Sequence, residues 1–394
     1  MTDSLIPTYT LGTHRLAPPE QTLARIEPLL ARCGITRLAE ITGLDEDFGV
    51  PTYTAVRPGG LVLQTGNGKG LTKAAAKVSA AMEAIELYHA ENPDRSRFVR
   101  ASLLEMRRRG LLTFVPPRDE ADRRFYFSEG YEIDWVRGEE LVGGADVWVP
   151  ASAACFIEPT IYQTNTNGLA SGNHVVEATL HAIYELLERD AISRVVQGDV
   201  VDIPGKCRVV DPASIEDERL RQIIQRIEDA RSRLVLLWVP CEAPVHVFWS
   251  FLLDLAPQHA ATSLITGAGA HVDPHAAAAR AITEAVQSRL TIVQSVRDDV
   301  GLRPSFSSGR HAPSRATRYF ADLEADTAWP NVAERGAIPD PIELDMSQLV
   351  SRILVALAKD CQGIAVRVEL SRPELDVPVV KLLVPHLQFR RQLF

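Results

Sequence analysis

Cysteine is sparse in this sequence. Cys33, Cys155, Cys207, Cys241 and Cys361 form no CxxC pair and no Cys/His cluster. That excludes a zinc finger or ribbon, and an odd, dispersed set of thiols fits a chain kept reduced rather than stapled by disulfides. Long apolar runs are missing too. None approaches the roughly 20 residues needed to cross a bilayer, and the opening "MTDSLIPTYTLGTHRL" lacks the charged and apolar regions of a signal peptide. The chain is therefore expected in the cytoplasm, away from the membrane. Positive charge is in deficit: 42 basic residues against 51 acidic ones leave a net charge of -9. This argues against a nucleic-acid binder acting through a general basic field. Nothing is low-complexity, and no period of roughly 20 to 50 residues repeats.

What remains is a globular chain of 394 residues, 46% hydrophobic, long enough for a large buried core. Residues 1–54 read as a helical lead-in, with "APPEQTLARIEPLLARCG" starting at Pro and Glu and stopping at Gly34. "PTYTAVRP" and "GLVLQTG" read as strands, and a long helix runs from about Leu71 to Glu91 before Asn92-Pro93 stops it. Two more long helices are expected near 174–196 and 274–296, the third following the Gly-rich turn "LITGAGAHVD". Further strands are expected at "DWVRGEEL", "ADVWVPAS", "RLVLLWVP", "HVFWSFLLDL", "IAVRVEL" and "VVKLLVP". The polar, proline-bearing stretch 298–345 reads as an irregular insert within a catalytic unit over 55–394. Strands mixed with long helices make the fold class α/β, of mixed α+β character.

The three long helices carry polar residues in register. Ser79, Glu83 and Glu86 share one face of the first; Glu185 and Glu188 repeat the three-residue spacing on the second; Arg280, Glu284 and Gln287 align on the third. A pair of glutamates at helical spacing is usually a solvated face. Here the flanks are Ala, Ile, Leu, Val and Met, so these are narrow polar stripes on mostly buried helices. Burying several carboxylates is costly unless cations neutralise them. A hard divalent ion such as Mg2+ does so and keeps phosphate oxygens as its remaining ligands. A carboxylate-rich site can thus bind a triphosphate through Mg2+, with Lys69, Arg189 and Arg280 contacting phosphate. "GNGKG" (66–70) by itself fits neither GxxxxGK[ST] nor GxGxxG and would pass for a plain turn.

In these segments, "GKGLTKAAAKVSAAMEAIE" (68–86), "NTNGLASGNHVVEATLHAIYELLERDA" (165–191) and "RAITEAVQSRLT" (280–291), the sequence resembles the YcaO family, which uses ATP to activate peptide backbone amides. The resemblance implies that Glu83, Glu86, Glu177, Glu185, Glu188 and Glu284 hold Mg2+. By the same resemblance Ser79, Asn173, Arg189, Arg280 and Gln287 meet the nucleotide, beside the Lys69 contact argued above. Leu87 stands where the family often has Arg. The resemblance also implies phosphorylation of the amide oxygen, a nucleophile that is sulfide, a side chain or an amine, a precursor peptide made on the ribosome as substrate, and a homodimer. The ending "KLLVPHLQFRRQLF" lacks the PxPxP tail common in azoline-forming members. "GTHR" (12–15), "TGLD" (42–45), "SRLT" (288–291) and "VRDD" (296–299) look like the members that work with a TfuA partner. The expected product is therefore a thioamide made with a sulfide donor. Azoline or amidine formation, or a non-enzymatic ATP-binding peptide scaffold, are the alternatives. His89, His174, His181 and His271 lie near the motifs, where a histidine is most often structural; His271 is singled out, with Arg280, as a candidate catalytic group.

Overall fold

The computed structural model describes residues 4–163, 165–197, 200–201, 203–256, 262–295, 315–334, 338, 341–361 and 364–390. Three antiparallel sheets organise it. The first has the order β1-β2-β3, formed by β1 (Arg37–Glu40), β2 (Thr52–Val56) and β3 (Thr65–Lys69). The second runs β4-β5-β14-β15-β7, with β6 added on β5: β4 (Val99–Ser102), β5 (Glu132–Glu140), β6 (Asp146–Pro150), β7 (Leu169–Ser171), β14 (Val366–Glu369) and β15 (Val379–Leu383). A two-stranded ribbon follows, β8 (Val196–Gln197) with β9 (Val200–Val201). The third sheet has the order β10-β11-β12-β13, from β10 (Arg208–Val210), β11 (Ser232–Val239), β12 (His246–Asp254) and β13 (Leu264–His271).

Each sheet ends in a strand that leads into one of the long helices: β3 into Lys73–Glu91, β7 into Val175–Val195 and β13 into Pro274–Ser295. All three helices start on a side-chain cap, which satisfies first-turn N–H groups that have no partner within the helix. Thr72 accepts from the N–H of Ala75, His174 from that of Val176, and Asp273 from those of His275 and Ala276. Alanine faces bury Ala76, Ala80 and Ala84 on the first helix and Ala277, Ala281 and Ala285 on the third.

The glycines before these helices are strand residues rather than turn residues, which corrects the sequence reading of both segments. A Cβ at Gly68 would overlap Ala80 N and Ala76 O, and one at Gly267 would overlap Ala285 N and Ala281 O. Glycine is required because strand and helix backbones nearly touch there. The second expected strand accordingly lies at Thr65–Lys69, downstream of "GLVL".

The lead-in is helical only over Pro19–Leu29, since β1 and most of β2 fall inside residues 1–54. Within the expected insert, 298–314 lies outside the described residues, and two short helices, Arg315–Ala321 and Trp329–Ala333, follow it. Among the described residues, no helix is long and apolar enough to cross a membrane.

Candidate active site

The three long helices enclose a cavity of about 400 Å³, within the size range of small-molecule sites. Its lining includes every residue assigned above to metal or nucleotide: Lys69, Ser79, Glu83, Glu86, Asn173, Glu177, Glu185, Glu188, Arg189, Arg280, Glu284 and Gln287. Sequence positions 69 to 287 thus converge on one chamber.

A backbone N–H at or beside the end strand fixes the middle carboxylate of each helix. Asn67 donates to Glu83 Oε2 at 2.7 Å, Gly168 to Glu185 Oε1 at 3.2 Å and Ala268 to Glu284 Oε1 at 3.3 Å. Ser171 Oγ donates to Glu86 Oε1 at 2.6 Å. Two cations are held in ion pairs: Lys69 Nζ lies 2.6 Å from Glu284 Oε2, and Arg189 Nη1 lies 2.8 Å from Glu185 Oε1.

These partners do not neutralise the whole site. Burial pushes Glu86 up to about 8 and Glu83 and Glu188 up to about 7, with neighbouring carboxylates adding to each rise. Burial acts on Glu284 in the same direction, but the Lys69 ammonium, helped by Arg280 and the Ala268 N–H, outweighs it and holds that carboxyl below its usual range. The cavity therefore contains more negative charge than its own cations support.

Three further groups point to a missing ligand. Arg280 Nε, Gln287 Oε1 and Asn67 Oδ1 are buried without a hydrogen-bond partner, although buried polar atoms are normally paired. Among the described residues, no group of three or more His, Cys, Asp or Glu forms a ready-made metal cage. Mg2+ suits such a site, since it takes one or two carboxylates and completes its shell with water and phosphate. Glu83, Glu86 and Glu188 fit the cation, and Lys69, Arg189 and Arg280 fit the phosphates.

Glu177 behaves differently from the other glutamates. It is buried, and it accepts from Arg15 Nη1 at 3.3 Å, Leu16 N at 2.9 Å, Asn173 N at 3.1 Å and Asn173 Nδ2 at 3.1 Å. Its oxygens are committed to protein donors, so it fastens the N-terminal strap instead of presenting a carboxylate to a metal. Asn173 is likewise engaged, accepting from Thr22 and Arg25.

His271 is not among the cavity-lining residues. It is buried on β13, edge-on to His14 with ring centroids 4.4 Å apart and 4.7 Å from Tyr184. Its Nδ1 accepts the N–H of Asp273, and burial together with His14 pushes the imidazole well below its usual range. The charges that act on it include Arg280 and Arg15, which line the chamber. Conversely, sequence reasoning missed the strap: Tyr9, Gly12, Thr13 and Arg15 form one wall of the cavity. The only signal for them was "GTHR". Asp298 and Asp299 of "VRDD" lie outside the described residues.

Comparison with known proteins agrees with this geometry. An uncharacterized protein of Mycobacterium tuberculosis H37Rv is 34% identical over 393 residues, covering 95% of this chain and 83% of its own. A Rhizobium leguminosarum bv. trifolii protein, described as lying in the tfuA 3′ region, is 32% identical over 392 residues, covering 95% and 88%. The structure of YcaO from Methanopyrus kandleri bound with AMPPCP and Mg2+ superposes with a TM-score of 0.75 at 22% identity, covering 98% of this chain and 95% of that one. Residues 67–388 match the family described as YcaO cyclodehydratase, ATP- and Mg2+-binding. The chain belongs to the YcaO family, and ATP and Mg2+ are its cofactors.

Proposed function

We propose that the chain uses Mg-ATP to activate a backbone amide of a ribosomally made peptide and replaces the amide oxygen with sulfur. The observation that carries this reading is the single cavity in which three carboxyls raised by burial face Lys69, Arg189 and Arg280. An amide oxygen is a poor leaving group. ATP supplies the phosphoryl group that makes it a good one, and Mg2+ offsets the charge carried along. The protein's own contribution is placement. Glu86 and Glu188 hold the cation, with Glu83 fixed beside them by Asn67 N–H. Lys69 and Arg189 exchange their glutamate partners for phosphate oxygens, and the unpaired Nε of Arg280 gains an acceptor. Ser79 and Gln287 complete the nucleotide contacts, while Asn173 stays bonded to Thr22, Arg25 and Glu177.

A TfuA-like partner is supported by the Rhizobium relative described as lying in the tfuA 3′ region, and sulfur as the nucleophile follows from the resemblance to members that work with such a partner. The family's description as a cyclodehydratase favours a second reading, azoline formation by a Cys, Ser or Thr side chain of the substrate. Intact mass spectrometry of a candidate peptide separates them. The peptide is incubated with the protein, Mg-ATP and sulfide, with and without the partner. Exchange of oxygen for sulfur that requires both ATP and sulfide is the expected result. Loss of water without sulfide assigns the azoline reaction instead.

A further inference from the structure

Three strand–helix units surround the cavity in a cyclic arrangement. The helix after β3 packs on β7, the helix after β7 packs on β13, and the helix after β13 packs on β3. Counted from the caps Thr72, His174 and Asp273, the three helices come into register along one face. The fourth and eighth positions are alanine in all three: Ala76, Ala178 and Ala277, then Ala80, Ala182 and Ala281. The eleventh is glutamate in all three, Glu83, Glu185 and Glu284, each receiving the N–H bond described above. The fourteenth gives Glu86, Glu188 and Gln287. The seventh gives Ser79, His181 and Arg280, and all three line the cavity.

The nucleotide contacts argued above use Ser79 and Arg280 from this last ring and leave out His181. We infer that His181 is a direct contact for the phosphate chain of the bound nucleotide, completing the ring with Ser79 and Arg280; this rests on the nucleotide reading of the cavity. Its neighbours supply the argument. The charged groups that act on the His181 ring are led by Arg15, Arg280 and Lys69, cations from three separate elements that also line the cavity, with His271 after them. Phosphate oxygens are what such a gathering of positive charge accommodates. No hydrogen bond ties the imidazole to the other described residues, and it is half-buried against the cavity. Burial, followed by those cations, pushes it well below its usual range. It therefore meets the ligand as a neutral ring with one N–H to donate.

The test is calorimetric titration of the full chain with a Mg2+-loaded, non-hydrolysable ATP analogue and, separately, with adenosine. H181A is expected to weaken the analogue roughly tenfold or more, the scale of a hydrogen bond to a charged group. H181N or H181Q should recover part of that loss, because the amide keeps a donor, and adenosine affinity should hold. Unchanged analogue affinity in H181A, equal loss of analogue and adenosine, or no recovery in either amide variant would overturn the inference. Failure of the wild-type chain to bind the analogue would overturn the nucleotide reading itself, and the inference with it.

Discussion

The first and third strand–helix units share a frame and differ in charge. Both have a glycine-spaced end strand pressed against an alanine face, and both carry a glutamate tied to the strand by an N–H. The first presents Ser79, Glu83 and Glu86; the third presents Arg280, Glu284 and Gln287. In the first, burial raises both carboxyls. In the third, Lys69 lowers the one that remains. The same scaffold thus builds one wall short of positive charge and one that supplies it, as a cation–polyphosphate complex requires at its two ends.

Breaking the shared frame should give the largest effect. Gly68→Ala and Gly267→Ala put a methyl into helix backbone and should each cost about 3 kcal/mol of stability, at the upper end for overpacking. Gly59→Ala, with nothing within 4 Å of the new methyl, should stay within about 0.5 kcal/mol of wild type. Urea denaturation checks all three, and equal behaviour would refute the close-approach account.

Breaking the difference between the walls comes next. Glu188→Gln should cut ATP turnover about a hundredfold by removing a cation ligand while leaving the fold intact, as far-ultraviolet circular dichroism would show. Full turnover would remove Glu188 from the metal site.

The raised carboxyls also predict a pH dependence in the ligand-free chain. Glu83, Glu86 and Glu188 titrate near 4.5 when unfolded and near 7 to 8 when folded. The folded state therefore holds protons that the unfolded state has released. Their contribution to stability is complete below pH of about 4.5 and is lost as pH climbs to about 8. Glu86→Gln should flatten part of that slope, and stabilisation by Mg-nucleotide should grow with pH. A slope unaffected by Glu86→Gln would mean that this carboxyl is not raised.

The smallest effect is expected at Glu177. Glu177→Gln keeps the shape but loses acceptor capacity toward Arg15 and Leu16. A loss of roughly fivefold in nucleotide affinity, with metal stoichiometry unchanged, corresponds to about one hydrogen bond. Loss of a bound Mg2+ would restore it as a metal ligand.

The long helices were legible in the sequence because caps, alanine faces and the Asn92-Pro93 stop all act locally. The carboxylates converging on the chamber could be anticipated from their spacing. β3 and β13 were not, because glycine that permits close approach looks the same in a sequence as glycine that permits a turn. The three-fold arrangement was hidden as well. Its units are about a hundred residues apart, beyond the periods of stacked repeats, and their likeness is confined to one helix face.

The strap has a consequence for synthesis of the chain. Tyr9 to Arg15 wall the chamber together with residues as distant as Ser288, and Leu5 is bonded to Asp345 and Met346. A nascent chain emerging from the ribosome holds its first wall long before the opposite one exists. Contacts of such sequence separation form slowly, since the loop must close before they stabilise anything. The chamber therefore closes late in synthesis, only after the third long helix has emerged to supply its last wall.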